Sequence, residues 1–188
     1  MAKMNKILHI LLLSLCLSMI SCMKEKRETL YNNQEENIDK YITKNMYRKT
    51  TVDGKEKTDT LTVVYRGGSS RLVNKEGTGE ELKADGTVSF YYAGYTFSSS
   101  KGTLFATNHQ ATGEKWAVTD PDYSPCVVDM RNTELIEGLR QGLIGVKADE
   151  TCQILFSGKY AYGKKPLGII PANSAIMFEI WVQAVSNE

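Results

Sequence analysis

The chain has 188 residues, 24% of them charged, and 23 Lys and Arg against 22 Asp and Glu give a formal net charge of +1. No basic patch points to nucleic acid and no acidic run points to a metal. The only histidines are His9 and His109, which leaves a histidine-based metal site or catalytic triad poorly supported.

The N-terminus reads as a targeting device. Lys3 and Lys6 precede a largely apolar stretch from Ile7 to Ile20. That stretch is too short to span a bilayer comfortably and has the length of a signal-peptide core. Met19-Ile20-Ser21-Cys22 follows and resembles a lipobox, with Met19 where leucine is usual. Residues 1–21 would then be removed and Cys22 would take lipid; the alternative is an ordinary secretory signal with Cys22 unmodified. Loss of the leader leaves 21 basic against 22 acidic residues and roughly 165 residues in all, the size of one compact domain with a tether. Of the four cysteines only Cys126 and Cys152 then remain to pair or stay free. In an oxidising envelope compartment both states are open, two buried thiols being the commoner outcome.

From Met23 to about Asn33 the chain is polar and charged, the composition of a flexible tether. Ile38, Tyr41, Ile42 and Met46 recur at spacings of three and four, which predicts an amphipathic helix over Glu35–Met46. Its apolar stripe suits packing on a domain or a dimer surface. Asp53-Gly54 marks a turn within Thr51–Lys55, and β signals take over beyond it. Strands are predicted at Leu61–Tyr65, Ser70–Lys75 and Thr87–Tyr95, with a short one at Leu104-Phe105. Thr107–Ser124 lacks periodicity and reads as a long exposed loop carrying two candidate partner-gripping aromatics, Trp116 and Tyr123. Cys126–Val128 is strand-like. Leu135–Leu143 fits one short helix, with Thr133 as its N-cap and Gly145 to end it. Thr151–Ser157 and Ala175–Val185 are the strongest remaining strands. Strands around one brief helix imply an α+β domain with an antiparallel sheet.

Six short motifs then stand in a telling order. They are Gly77-Thr78-Gly79, Tyr92-Ala93-Gly94, Leu135-Ile136-Glu137-Gly138-Leu139, Tyr160-Ala161-Tyr162-Gly163, Ile169-Ile170-Pro171 and Phe178-Glu179. In that order they resemble the FKBP-type peptidyl-prolyl cis-trans isomerases, over about residues 61–186. With the leader and the helical lead-in, the chain is similar to the envelope-anchored lipoprotein members of Gram-negative bacteria. The division expected is a signal peptide at 1–21, anchor, tether and helix at 22–60, and an FKBP-like domain at 61–188.

The resemblance implies a twisted antiparallel sheet wrapped around the short helix, with a prolyl pocket between them. Tyr92, Phe105, Ile136, Tyr162 and Phe178 would carry catalysis; Leu135, Leu139, Cys126 and Ile170 would help to bind substrate. The Ile136 backbone N–H and the Tyr162 hydroxyl would bond substrate carbonyls. Three positions depart from the active pattern: Ala106 replaces an aspartate, Leu139 a floor tryptophan and Cys126 a wall aromatic. Phe178, Ile136 and Leu139 would equally serve as core residues in any sheet-on-helix domain.

The implied chemistry needs no cofactor and no metal. Rotation about an X-Pro bond faces a barrier of about 18–20 kcal/mol from amide resonance. An apolar cleft that strips solvent from the planar amide and grips the prolyl ring favours the twisted transition state. The partners expected are proline-containing polypeptides and, through the lipid, a membrane at the periplasmic side or the cell surface. The competing readings are a non-catalytic chaperone or peptide-binding lipoprotein on the same fold, and a structural docking subunit.

Overall fold

The computed structural model describes residues 2–188 except Asp53, Asp120, Pro121, Asn132 and Thr133, and side chains from residue 23 onward apart from Val52. The Cys22 side chain, where lipidation is expected, and Thr133, the expected cap, therefore lie outside what the structure describes.

Helix α1 runs from Ala2 to Asn45. Strands β1 (Tyr47–Val52) and β2 (Lys55–Thr60) form a separate two-stranded antiparallel hairpin. The main sheet has seven strands: β3 (Val63–Arg66), β4 (Ser69–Lys75), β5 (Thr87–Phe97), β6 (Lys101–Thr107), β7 (Cys126–Asp129), β8 (Thr151–Phe156) and β9 (Ala175–Ser186). Their order is β3-β4-β8-β9-β5-β6, with β7 also paired to β5 and every pairing antiparallel. Two short α-helices, α2 (Gln110–Lys115) and α3 (Glu137–Leu143), and one 3-10 turn at Gly158–Tyr160 complete the described residues. The α+β class read from the sequence is what the structure shows.

Strand alternation explains why the central strands are apolar on both faces. On β8 and β9, Ile154, Phe156, Ile176, Phe178 and Ile180 join Leu139 and Leu143 of α3 in the main core. Their neighbours Leu155, Ala175 and Met177 point the other way and meet Ile38 and Ile42 of α1. The helix predicted over Glu35–Met46 is thus the part of α1 that covers the outer face.

Two expectations are corrected. The Met23–Asn33 segment, expected as a flexible tether, continues α1, and Tyr31 within it is buried. Its charged residues face solvent along a helix whose next turns are held by the sheet, so polar composition alone misled. The Thr107–Ser124 segment contains α2, which at six residues is too short to show a helical period.

Arg71 of β4 fixes the far end of α3. Its guanidinium donates to the carbonyls of Gly142 (2.9 Å), Ile144 (3.0 Å) and Gly145 (3.1 Å), which are orphan acceptors at a helix C-terminus. Gly145, at φ +87, ends the helix in the left-handed conformation that glycine adopts without steric cost. Ser69 of the same strand donates its hydroxyl to the Gly138 carbonyl. β4 therefore holds the helix at both ends.

Candidate active site

Between the sheet and the start of α3 lies a cavity of about 240 Å³. β5 sends Phe90 and Tyr92 into it, while their alternate neighbours face away. Gly94 follows on the same face with no side chain, and the space is needed. A Cβ there would stand 2.6 Å from the Phe105 ring and 2.8 Å from the Phe178 ring. β6 supplies Phe105 and Ala106, β7 supplies Cys126 and β9 supplies Phe178. The approach to α3 contributes Glu134, Leu135 and Ile136, and the helix contributes Leu139. Tyr162 closes the list from the segment that follows β8.

The rings brace one another at an edge-to-face angle. Phe105 meets Phe178 at 5.8 Å and 89°, and Tyr162 at 6.2 Å and 87°. Tyr92 meets Phe178 at 6.0 Å and 66°. Such contacts fix ring orientation as well as adding burial. Phe178 also stacks on Phe156 of the core at 6.2 Å, so the cavity wall is continuous with the packed interior.

Burial pushes the Tyr162 phenol above its ordinary range, with Tyr92 nearby adding to the effect. Burial does the same to Tyr92, with Cys126 adding to it, and it raises the Cys126 thiol. These groups stay protonated at neutral pH and can only donate or accept hydrogen bonds. Among the described residues neither phenol finds a hydrogen-bond partner, and the Ile136 N–H, at the N-cap of α3, meets no acceptor. The cavity thus offers an apolar box with two hydroxyl groups and one backbone N–H. Cys126 is half-buried and Cys152 buried, and both thiols are free.

Eight of the nine residues singled out from the sequence line this cavity. The ninth, Ile170, is buried in the adjoining core and lines no part of it. Phe90 and Glu134 were not foreseen. Phe90 was readable from period two, since it shares a face with Tyr92 and Gly94; Glu134 carries no comparable signal. Trp116 packs on Tyr95 at 6.2 Å, on the sheet face opposite the cavity, and is 44% exposed.

An antiparallel sheet holding an aromatic box against one short helix defines an FKBP-like domain. The sequence profile of the FKBP-type peptidyl-prolyl cis-trans isomerases matches residues 78–183, more than half of the chain. The chain belongs to that family. FK506-binding protein 1 of Aspergillus oryzae is 26% identical over 113 residues, covering 60% of this chain and 94% of the relative. Peptidyl-prolyl cis-trans isomerase FKBP12 of Vicia faba is 26% identical over 117 residues, 61% of this chain and 96% of the relative. Among solved structures, FkpA from Escherichia coli superposes with a TM-score of 0.54 at 20% identity, over 93% of this chain and 70% of that one. The three FKBP domains of wheat FKBP73 give a TM-score of 0.55 at 22% identity, over 69% of this chain and 52% of that one. These two likenesses speak for the fold.

Proposed function

We propose that the chain is a peptidyl-prolyl cis-trans isomerase whose cavity takes the prolyl ring of an extended polypeptide. The observation that carries this reading is the box itself: Tyr92, Phe105, Tyr162 and Phe178 braced edge-to-face, beside an Ile136 N–H that meets no acceptor among the described residues. In this reading the ring enters among the aromatics and the X-Pro amide leaves water. Its planar, charge-separated form loses the solvent hydrogen bonds that stabilise it, and the barrier to twisting falls. The Ile136 N–H and the Tyr162 hydroxyl hold flanking carbonyls, and only contacts better made in the twisted state accelerate the reaction. No side chain forms a covalent bond to substrate and no net proton transfer occurs.

The proposal extends to the setting. Residues 1–21 act as a leader, Cys22 carries lipid, and residues 61–188 form the catalytic domain of an envelope-anchored protein that assists folding of exported chains. Metabolic labelling with a lipid precursor, lost in Cys22→Ala, tests the anchor. Among the described residues no helix is long and apolar enough to cross a membrane.

One observation favours a second reading. Ala106 sets a methyl group on the cavity lining where active relatives are expected to carry a carboxylate, which suits a module that grips chains without turning them over. Exchange spectroscopy on a proline tetrapeptide separates the two. Acceleration of cis-trans exchange by the full chain supports the enzyme; binding without acceleration supports the module.

A further inference from the structure

The segment that delivers Tyr162 to the cavity is tied to a part of the chain outside the family match. It leaves β8 at Ser157 and returns at β9, and its two limbs close on each other. The Asn173 N–H donates to the Gly163 carbonyl at 2.7 Å, and Gly158 lies so close to Asn173 that a Cβ would strike its carbonyl oxygen. Asn173 sits at φ +56, in the left-handed region that asparagine tolerates better than most residues.

Helix α1 crosses this closure. The Gln34 carboxamide accepts from the Gly158 N–H at 2.8 Å and donates to the Asn173 carbonyl at 2.8 Å. The Tyr31 hydroxyl donates to Asn173 Oδ1 at 2.8 Å, and the Ser157 hydroxyl donates to Glu35 Oε1 at 3.0 Å. One turn of α1 therefore bonds both limbs at once. The helix can do this because its next turns are fixed: Ile38 and Ile42 are 3% and 1% exposed against the outer sheet face.

We propose that α1 is a positioning element for the cavity, with Gln34 and Tyr31 holding the closure from which Tyr162 projects against Phe105. Neither residue lines the cavity, so both act through the Tyr162 segment. The inference rests on the reading of the cavity as a prolyl site. It also gives the N-terminal helix a role in substrate affinity, beyond that of a spacer.

The test uses the full chain and a proline tetrapeptide, comparing Gln34→Ala, Gln34→Glu and Tyr31→Phe with Lys40→Ala on the exposed face of α1. Amide exchange at Asn173, the Tyr162 ring resonances, and KM and kcat are measured where circular dichroism shows every variant folded. Gln34→Ala is expected to speed Asn173 exchange about tenfold and to raise KM about fivefold, with kcat within about twofold. Tyr31→Phe should move the same readouts less. Gln34→Glu keeps the acceptor for Gly158 and should recover part of the loss; Lys40→Ala should change nothing. Unchanged exchange and ring resonances in Gln34→Ala would overturn the proposal, as would a loosened segment with unchanged KM. Wild-type protein without isomerase activity sinks the prolyl reading alone; peptide affinity in the same variants then replaces KM and decides the positioning claim.

Discussion

Phe105 stands edge-on to Phe178, ring centroids 5.8 Å apart and planes at 89°, over the bare backbone of Gly94. The pair joins two strands that both flank β5, and Phe178 continues into the core through Phe156. A single side chain thus belongs to the cavity and to the fold.

Truncating it should damage both. Phe178 is 4% exposed, and Phe178→Ala is expected to cost about 3–5 kcal/mol of stability, since the braced rings cannot collapse into the void. Phe178→Leu keeps most of the volume and should cost far less while still lowering kcat/KM. Urea unfolding and the exchange assay read the two effects separately. Undiminished turnover in either variant would put the prolyl site elsewhere.

Tyr162→Phe removes one hydroxyl and leaves the ring contact with Phe105. A several-fold drop in kcat/KM with little change in stability is expected, the scale of one hydrogen bond to substrate. The pH dependence follows from the direction of its shift. Burial holds the folded phenol above the ordinary 10.0, so it stays protonated, and turnover should be flat across roughly pH 6 to 9. The same shift makes folding favour the protonated form. Its contribution to stability is present below the unfolded value near 10 and is lost as pH rises through the raised folded value. Tyr92 shifts the same way, so urea midpoints should fall at strongly alkaline pH, and less so in Tyr162→Phe.

Much of this arrangement was legible in the sequence because it is periodic or glycine-marked. Period two in Thr87–Phe97 places Phe90, Tyr92 and Gly94 on one face, and the same rule divides Ile154 from Leu155 and Phe178 from Met177. What escaped depended on contacts distant in the chain. Tyr31 and Gln34 look like ordinary polar-helix residues until the Asn173 turn is brought against them, 142 and 139 positions later. Ile170 sits beside the cavity and not in it because its backbone pairs with Leu167 in a tight turn that directs the side chain to the core. Hydrophobicity gives no warning of that choice.

Ala106 borders a cavity lined by Tyr92 and Tyr162, two phenols that find no hydrogen-bond partner among the described residues. Ala106→Asp would give such a hydroxyl an acceptor and would add polar bonding at the rim. It is expected to raise kcat/KM several-fold, through better-fixed rings and a stronger donor at Tyr162. The side chain is half-buried, so a modest fall in stability should accompany the gain. If the variant binds proline peptides as before and turnover does not rise, the alanine is not what limits catalysis.

Arg71 and Glu150 form a buried ion pair, with Nε and Oε1 3.5 Å apart and side chains 6% and 3% exposed. Burial raises the Glu150 carboxyl, and Arg71 with the Lys147 N–H pulls it back. The guanidinium is also the cap on α3, so its removal strands a carboxyl and three carbonyls together. Arg71→Leu is expected to cost about 3–5 kcal/mol, the usual consequence of leaving one buried charge unpaired. Arg71→Leu with Glu150→Leu relieves the charge but not the cap, and should recover part of the loss and never all of it. The unrecovered part measures the hydrogen bonds to Gly142, Ile144 and Gly145. A double variant as stable as wild type would show that the cap contributes nothing, and that α3 is held in place by its apolar face and Ser69.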